Sequence, residues 1–489
     1  MTTLALITDL CAEVLVSRPP EPVAQILSRV QARQSEPLRV AIVGRAKAGK
    51  STLLNALVGE RLAASDASES TRIPTWYRVG PSYAVEALFR DGARRSIPFH
   101  RNDGRLDIPL APEQLADIEH VEVRWPSLKL LEMSLLDTPG LEGKDAEASR
   151  RSRLVLGLDD ASEVQVDAVI YLMRHLHAKD VDFLEAFLEQ SISRPSPISS
   201  LAVISRADEV GAGRADALAS AATIAERYKR DPRISRFCAN VLPVAGLLAE
   251  AGAALQEEEA SGLRALATLS TPDLEQLLLS VDRVAESPLS TVATDVRHAL
   301  LRRLGLFGVR LCVNALHAGD VLTAQDLARL LTKTSGIEQL RGVIADRFSR
   351  HAALLKARSA LTGLKEALRT WHQLDASAAR DLEERIERIE SSSAVLSALR
   401  LTYLSPLADD LDDEERAEIL SLVDECARSE ATVVGDSTER SLIVERIAYW
   451  RYRSEDPIAS PEILEIAQTA ARLYEALAAT STSHPVTAN

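Results

Sequence analysis

Nowhere in this chain do apolar residues run unbroken for the roughly 20 positions needed to span a bilayer. Its opening, Met-Thr-Thr-Leu-Ala-Leu-Ile-Thr-Asp-Leu, puts no basic segment ahead of its apolar positions, so no secretory leader is expected. Cysteine is scarce: Cys11, Cys238, Cys312 and Cys426 lie far apart, with no C-x-x-C pair and no histidine at metal spacing. That spacing argues against a disulfide framework or a zinc site and predicts reduced, packed thiols. Aromatic residues are only 4% of the chain, while Leu and Ala abound, a bias towards helix. Positive charge is in the minority, 57 Lys and Arg against 71 Asp and Glu, and the net charge of −14 argues against nucleic acid as a partner. The expectation is a cytoplasmic protein, with any membrane contact peripheral.

Against these absences stands one dense motif. Residues Gly44-Arg45-Ala46-Lys47-Ala48-Gly49-Lys50-Ser51 follow the apolar run Leu38–Val43 and precede a helical pattern that Thr52 and Leu53 open. Glycines at 44 and 49 let the backbone fold tightly, so that successive N–H groups converge on phosphate oxygens. Lys50 is placed to reach the β- and γ-phosphates, and Ser51 to put a hydroxyl on Mg²⁺. A glycine-rich turn that binds nothing is the bland alternative. The strand before and the helix after favour the phosphate loop, and with it a bound nucleoside triphosphate.

With 489 residues, 46% of them hydrophobic, the chain has room for two or more domains. Residues 1–36 carry two short amphipathic helices broken at Pro19-Pro20, which need a partner for their apolar stripes. Residues 37–246 alternate strand-like and helical runs, with buried strands expected at Met133–Leu136, Ala168–Leu172 and Leu201–Ile204. From 247 to 489 the pattern is helical, with apolar residues three and four apart. The predicted fold is α/β plus all-α: a P-loop domain with a mostly parallel sheet, attached to an elongated helical bundle. A segment of about 35 residues would make a rod near 50 Å. The helices at both chain ends are expected to pack together.

Further motifs refine the nucleotide. Asp137-Thr138-Pro139-Gly140 follows a strand, as a D-x-x-G switch does: Asp137 acts on Mg²⁺ through a water and the Gly140 N–H meets the γ-phosphate. Between the motifs a threonine is needed on Mg²⁺ and near the attacking water; Thr71 and Thr75 both qualify, and Thr71 is preferred because Thr75 opens a strand. Ser205-Arg206-Ala207-Asp208 stands where a guanine reader puts Asn-Lys-x-Asp. There Asp208 accepts from the base and the Arg206 guanidinium stacks on it. Ser205 in place of Asn keeps an ATP-specific P-loop enzyme open. In the loop Pro243-Val244-Ala245-Gly246, the Ala245 N–H is expected on the base carbonyl.

These residues resemble the dynamin-like large GTPases, especially their bacterial members. Thr71-Arg72-Ile73-Pro74 is similar to the Thr-Arg-x-Pro around the dynamin switch threonine, which supports Thr71. The resemblance implies GTP hydrolysis with Mg²⁺, self-association through GTPase domains, and a helical neck and trunk whose tip engages anionic lipid for fission or fusion. It also implies a paralogous dynamin-like protein as a partner. Dynamins carry Gln and Ser at the third and fourth loop positions, the Ser helping to hold a monovalent cation. Here Ala46 and Lys47 stand there, so the resemblance leaves the Gln role vacant and gives the cation's charge to Lys47. The other reading is a GTP-gated scaffold or chaperone whose helices grip a protein partner.

Two basic stretches are lipid candidates. Arg302-Arg303-Leu304-Gly305-Leu306-Phe307-Gly308 sets bases beside apolar residues, and Arg369 and Trp371 close a later helix. Pairing of these bases with the acidic stretch Asp375–Glu430 inside the bundle is the competing explanation.

Overall fold

The computed structural model describes residues 2–63, 73–102, 105–110, 115, 117–139, 166–174, 198–235, 237–238, 240–405, 408, 410–429 and 437–480. The expected apolar runs form strands β1 (Leu38–Gly44), β8 (Met133–Asp137), β9 (Ala168–Met173) and β10 (Ser200–Ser205), and β2 (Thr75–Val79), β3 (Ala84–Phe89), β4 (Arg94–Ser96), β7 (Ile118–Trp125) and β11 (Val241–Val244) join them. Among the described residues they make one sheet, in the order β11-β10-β9-β1-β8-β2-β7-β3-β4. A separate ribbon pairs β5 (His100–Asn102) with β6 (Arg105–Asp107). From β11 to β8 the neighbours are parallel; β2 and β7 run antiparallel to β8, and β3 turns back again. Strands β9 and β10 are buried at every position, as parallel strands covered on both faces must be.

Helices α1 (Thr3–Val16) and α2 (Glu21–Arg33) precede the sheet, and α3 (Lys50–Val58) follows the phosphate loop. Helix α4 (Ala217–Lys229) covers the opposite face, where Ala225 and Tyr228 pack with Trp76, Tyr171 and Phe237. A helical module then runs through α5 (Gly246–Ala253), α6 (Glu257–Ala267), α7 (Thr271–Leu277), α8 (Val281–Glu286), α9 (Thr294–Ala318) and α10 (Ala324–Thr334). Its core of leucines and alanines includes Ala217 and Ala245, so it is continuous with the nucleotide domain.

The remaining helices are α11 (Ile337–Ile344), α12 (Ala352–Leu374), α13 (Arg380–Ser392), α14 (Ala394–Leu404), α15 (Asp413–Ser429), α16 (Ser437–Ser454) and α17 (Pro461–Thr480). Ile7, Leu10, Val23 and Leu27 of the first two helices pack against Leu364, Leu382 and Ile386 of α12 and α13. Polar contacts set the register of this packing. Between α2 and α12, the Lys356 ammonium meets the Gln34 carbonyl and Arg29 pairs with Glu366. Between α1 and α13, Thr3 bonds Ser393 and Glu13 pairs with Arg385. Both pairings run antiparallel, so the turn at 17–20 and the turn at 375–379 share one end of this bundle. Its other end is tied to the sheet: Asp167, just before β9, accepts from Arg33 at 3.0 Å and from the Ser359 hydroxyl at 2.5 Å.

One expectation is corrected. The apolar periodicity across residues 296–307 is not one unbroken helix: α9, at 25 residues, is broken at Gly305, whose φ of 66° and ψ of 174° are open essentially to glycine alone. Residues 337–374, by contrast, continue from α11 through a π-helical turn at Ala345–Ser349 into α12. All four cysteines are buried free thiols, which burial pushes up to about 12.

Candidate nucleotide site

Parallel strands that end on one edge leave their following loops side by side, and there the sequence motifs meet. Strand β1 runs into the loop at Gly44, where a Cβ would lie 2.6 Å from the Leu172 carbonyl oxygen of β9. Gly49 caps α3 with a φ of 92°, and Lys47, exposed at the loop's apex, also has a positive φ, 62°. The Lys50 ammonium curls over the loop and donates to the Gly44 and Arg45 carbonyls at 3.3 and 3.1 Å. Ser51 lies in the first turn of α3, and its hydroxyl donates to Asp137 Oδ2 at 2.7 Å. Asp137 is carried by β8, in register with Ile42, and the Thr138 hydroxyl pins the same crossing by donating to the Ile42 carbonyl at 2.8 Å.

A hydroxyl beside a carboxylate is a hard oxygen pair suited to Mg²⁺, which keeps waters and substrate phosphates in its remaining positions. Ser51 and Asp137 would hold the ion. Thr75 faces Asp137 across the β2–β8 pair, but its hydroxyl is turned to the Ile73 carbonyl at 3.2 Å. Thr71 and Gly140 lie outside the described residues.

At the base end, β10 finishes at Ser205 and the chain turns through Arg206, with a φ of 53°. The Arg206 guanidinium donates to the Lys47 carbonyl at 3.0 Å and to Glu209 at 2.9 Å, joining this turn to the phosphate loop. Asp208 is 5% exposed, and burial pushes its carboxyl up to about 6. It borders a cleft of ≈490 Å³ shared with Leu247, Leu301, Gly305 and Leu306.

Two sequence expectations are corrected here. The Ala245 N–H donates to the Ser335 carbonyl at 2.9 Å, so it is committed to the helical module rather than aimed at a base. The lipid site at Arg302–Phe307 is internal: Arg303 bonds Glu250 and Glu259, Leu304 and Phe307 are buried in the module's core, and Leu306 lines the cleft. Arg302 alone of that stretch is exposed. Sequence reasoning also missed Asn55, which holds the Leu62 and Ala63 N–H groups at 2.9 and 2.7 Å. An asparagine inside an apolar helix was its signal.

Residues 39–203 match the model of a family described as "50S ribosome-binding GTPase". With the phosphate loop and Asp137 at one sheet edge, this defines a GTP-binding P-loop protein with a GTPase domain and a helical region. The isoniazid-induced protein IniC of Mycobacterium tuberculosis is 37% identical over 462 residues, covering 93% of this chain and 92% of its own. A bacterial dynamin-like protein of Nostoc punctiforme is 32% identical over 148 residues, 28% of this chain and 20% of its own. The chain belongs to the IniC family of bacterial dynamin-like proteins. A solved oligomerised bacterial dynamin pair aligns with 98% of this chain and 74% of its own at 15% identity, with a TM-score of 0.32.

Proposed function

We propose that this protein hydrolyses GTP to GDP and phosphate and couples association of its GTPase domains to binding and remodelling of an anionic membrane. The observation that carries the hydrolytic part is the 2.7 Å contact of Ser51 with Asp137 at the mouth of the phosphate loop. When bound there, Mg²⁺ supplies charge neutralisation on the phosphate oxygens. Lys50 orients the β- and γ-phosphates, while Thr71 and Gly140 position the attacking water and sense the γ-phosphate. Lys47, exposed at the loop's apex, supplies further positive charge when two domains meet.

The membrane part is supported by the bundle end formed by the turns at 17–20 and 375–379. Val16 is 83% and Leu374 56% exposed there, beside half-buried Trp371 and exposed Arg18, Arg369 and Arg380. Exposed apolar side chains with bases among them suit the interface of a bilayer; the exposed acids Glu21, Asp375 and Asp381 share this end, so the apolar side chains rather than net charge carry the contact. Contact would be peripheral, at the inner face of the plasma membrane; among the described residues no helix is long and apolar enough to cross a membrane.

The test is GTP turnover against protein concentration, with and without anionic vesicles. Turnover that rises with both is expected. Turnover indifferent to lipid, with a protein partner bound in the GTP state, would favour the scaffold reading instead.

A further inference from the structure

We propose that the broken segment of α9 from Leu301 to Phe307 forms the outer wall of the nucleobase pocket, so that a guanine ring is held between the nucleotide domain and the helical module. This rests on the reading that Asp208 meets the base, and it adds the helical module as a second wall against which the base is held.

The cleft is walled unevenly. Asp208 and Glu209 lie on the sheet side, Leu247 belongs to the first turn of α5, and Leu301, Gly305 and Leu306 lie opposite. Its ≈490 Å³ falls within the roughly 300–1,000 Å³ of small-molecule sites, whose walls are mostly apolar with a few placed polar groups. Glu209 is engaged by Arg174 and Arg206, which leaves Asp208 as the carboxylate suited to meet a ligand. Guanine offers two adjacent N–H donors on one edge, a match for a carboxylate's two oxygens; adenine sets a ring acceptor against it.

The break in α9 is what makes room. Gly305 adopts its glycine-only conformation where a Cβ would stand 3.6 Å from Asp208 Oδ2 and 3.9 Å from Leu247. A side chain there would extend into the space beside the carboxylate, and the backbone would be strained as well. Arg303, two residues earlier, bonds Glu250, which also holds Arg61 ahead of the segment containing Thr71. One helix therefore adjoins both the base end and the stem of the switch segment.

The experiment uses the full chain and two ligands: GDP, which has a base, and pyrophosphate, which fills only the phosphate loop. Hydrogen exchange at 301–308 is expected to slow several-fold with GDP and to stay unchanged with pyrophosphate. Leu306→Trp, which fills the cleft, is expected to weaken GDP by about tenfold or more while sparing pyrophosphate. Unchanged exchange with GDP, or equal slowing by both ligands, overturns the proposal even if Leu306→Trp fails to fold. Asp208→Asn separates the two layers. If it keeps full GDP affinity, the guanine reading fails; if it loses GDP while 301–308 stay indifferent to GDP, only the helical wall fails.

Discussion

Arg303 donates to Glu250 Oε1 at 2.9 Å, and Arg61 reaches the same oxygen from the other side at 2.9 Å. Arg303 is 8% exposed and also bonds Glu259, so its charge is fully matched inside the module. Arg61 still holds Glu250 when Arg303 is removed, so what is lost is the guanidinium's charge-assisted hydrogen bonds, at a cost of about 2 kcal/mol. Arg303→Ala is therefore expected to raise hydrogen exchange across 246–334 by that margin. Arg302→Ala, on the surface, should change it by no more than about 0.5 kcal/mol. Equal effects would contradict the assignment of Arg303 to the interior.

Asp208 gives a pH dependence whose sign is fixed. Burial raises its carboxyl to about 6 from an ordinary value of 3.8; Glu209 raises it further and Arg206 lowers it, while the α9 residues lining the cleft carry no charge. The folded chain thus holds this proton between about 4 and 6, where the unfolded chain has lost it. The group's contribution to stability is full below that window and is lost as pH rises through it. Guanine needs the ionised carboxylate, so GDP affinity should fall as pH drops below about 6. In Asp208→Asn that pH dependence should vanish. A wild-type affinity that stays flat from pH 7 to 5 would contradict it.

The strands were legible because a parallel sheet buried on both faces writes itself as unbroken apolar runs, as at Leu201–Ile204. The meeting of Ser51 with Asp137 was legible for a related reason, since both close or follow buried strands that share an edge. Long-range partners were not. Arg303 looked like a lipid contact because its acid, Glu250, lies 53 residues away and belongs to another helix. Ala245 looked free because the carbonyl that takes its N–H belongs to Ser335. The periodicity of α9 continued through Gly305; the glycines at 305 and 308 marked a weak point in the helix, and the backbone angles put the break at Gly305.

Lys47 tests the catalytic reading of the loop. Its backbone is held by Arg206 and its side chain is exposed, so an ammonium there can meet the phosphates when two GTPase domains associate. Lys47→Ala is expected to lower concentration-stimulated GTP turnover by about 10²-fold, the scale of losing one charge-stabilising group. Full stimulated turnover by the variant, without added K⁺, would reject that role.

The bundle end offers a test that leaves the core intact. Val16 and Leu374 are mostly exposed, so replacing them with serine should disturb folding little. If both enter the interface of an anionic bilayer, each contributes about 1.5 kcal/mol of apolar burial, and the pair about 3 kcal/mol, or roughly 10²-fold in vesicle affinity. Val16→Ser with Leu374→Ser is thus expected to abolish co-sedimentation with anionic vesicles. Ile458, 91% exposed on the turn between α16 and α17, is the control: it is equally apolar but belongs to a different turn, and Ile458→Ser should bind as wild type does. Loss of binding in the control, or full binding by the double variant, would move the lipid contact away from this end of the bundle.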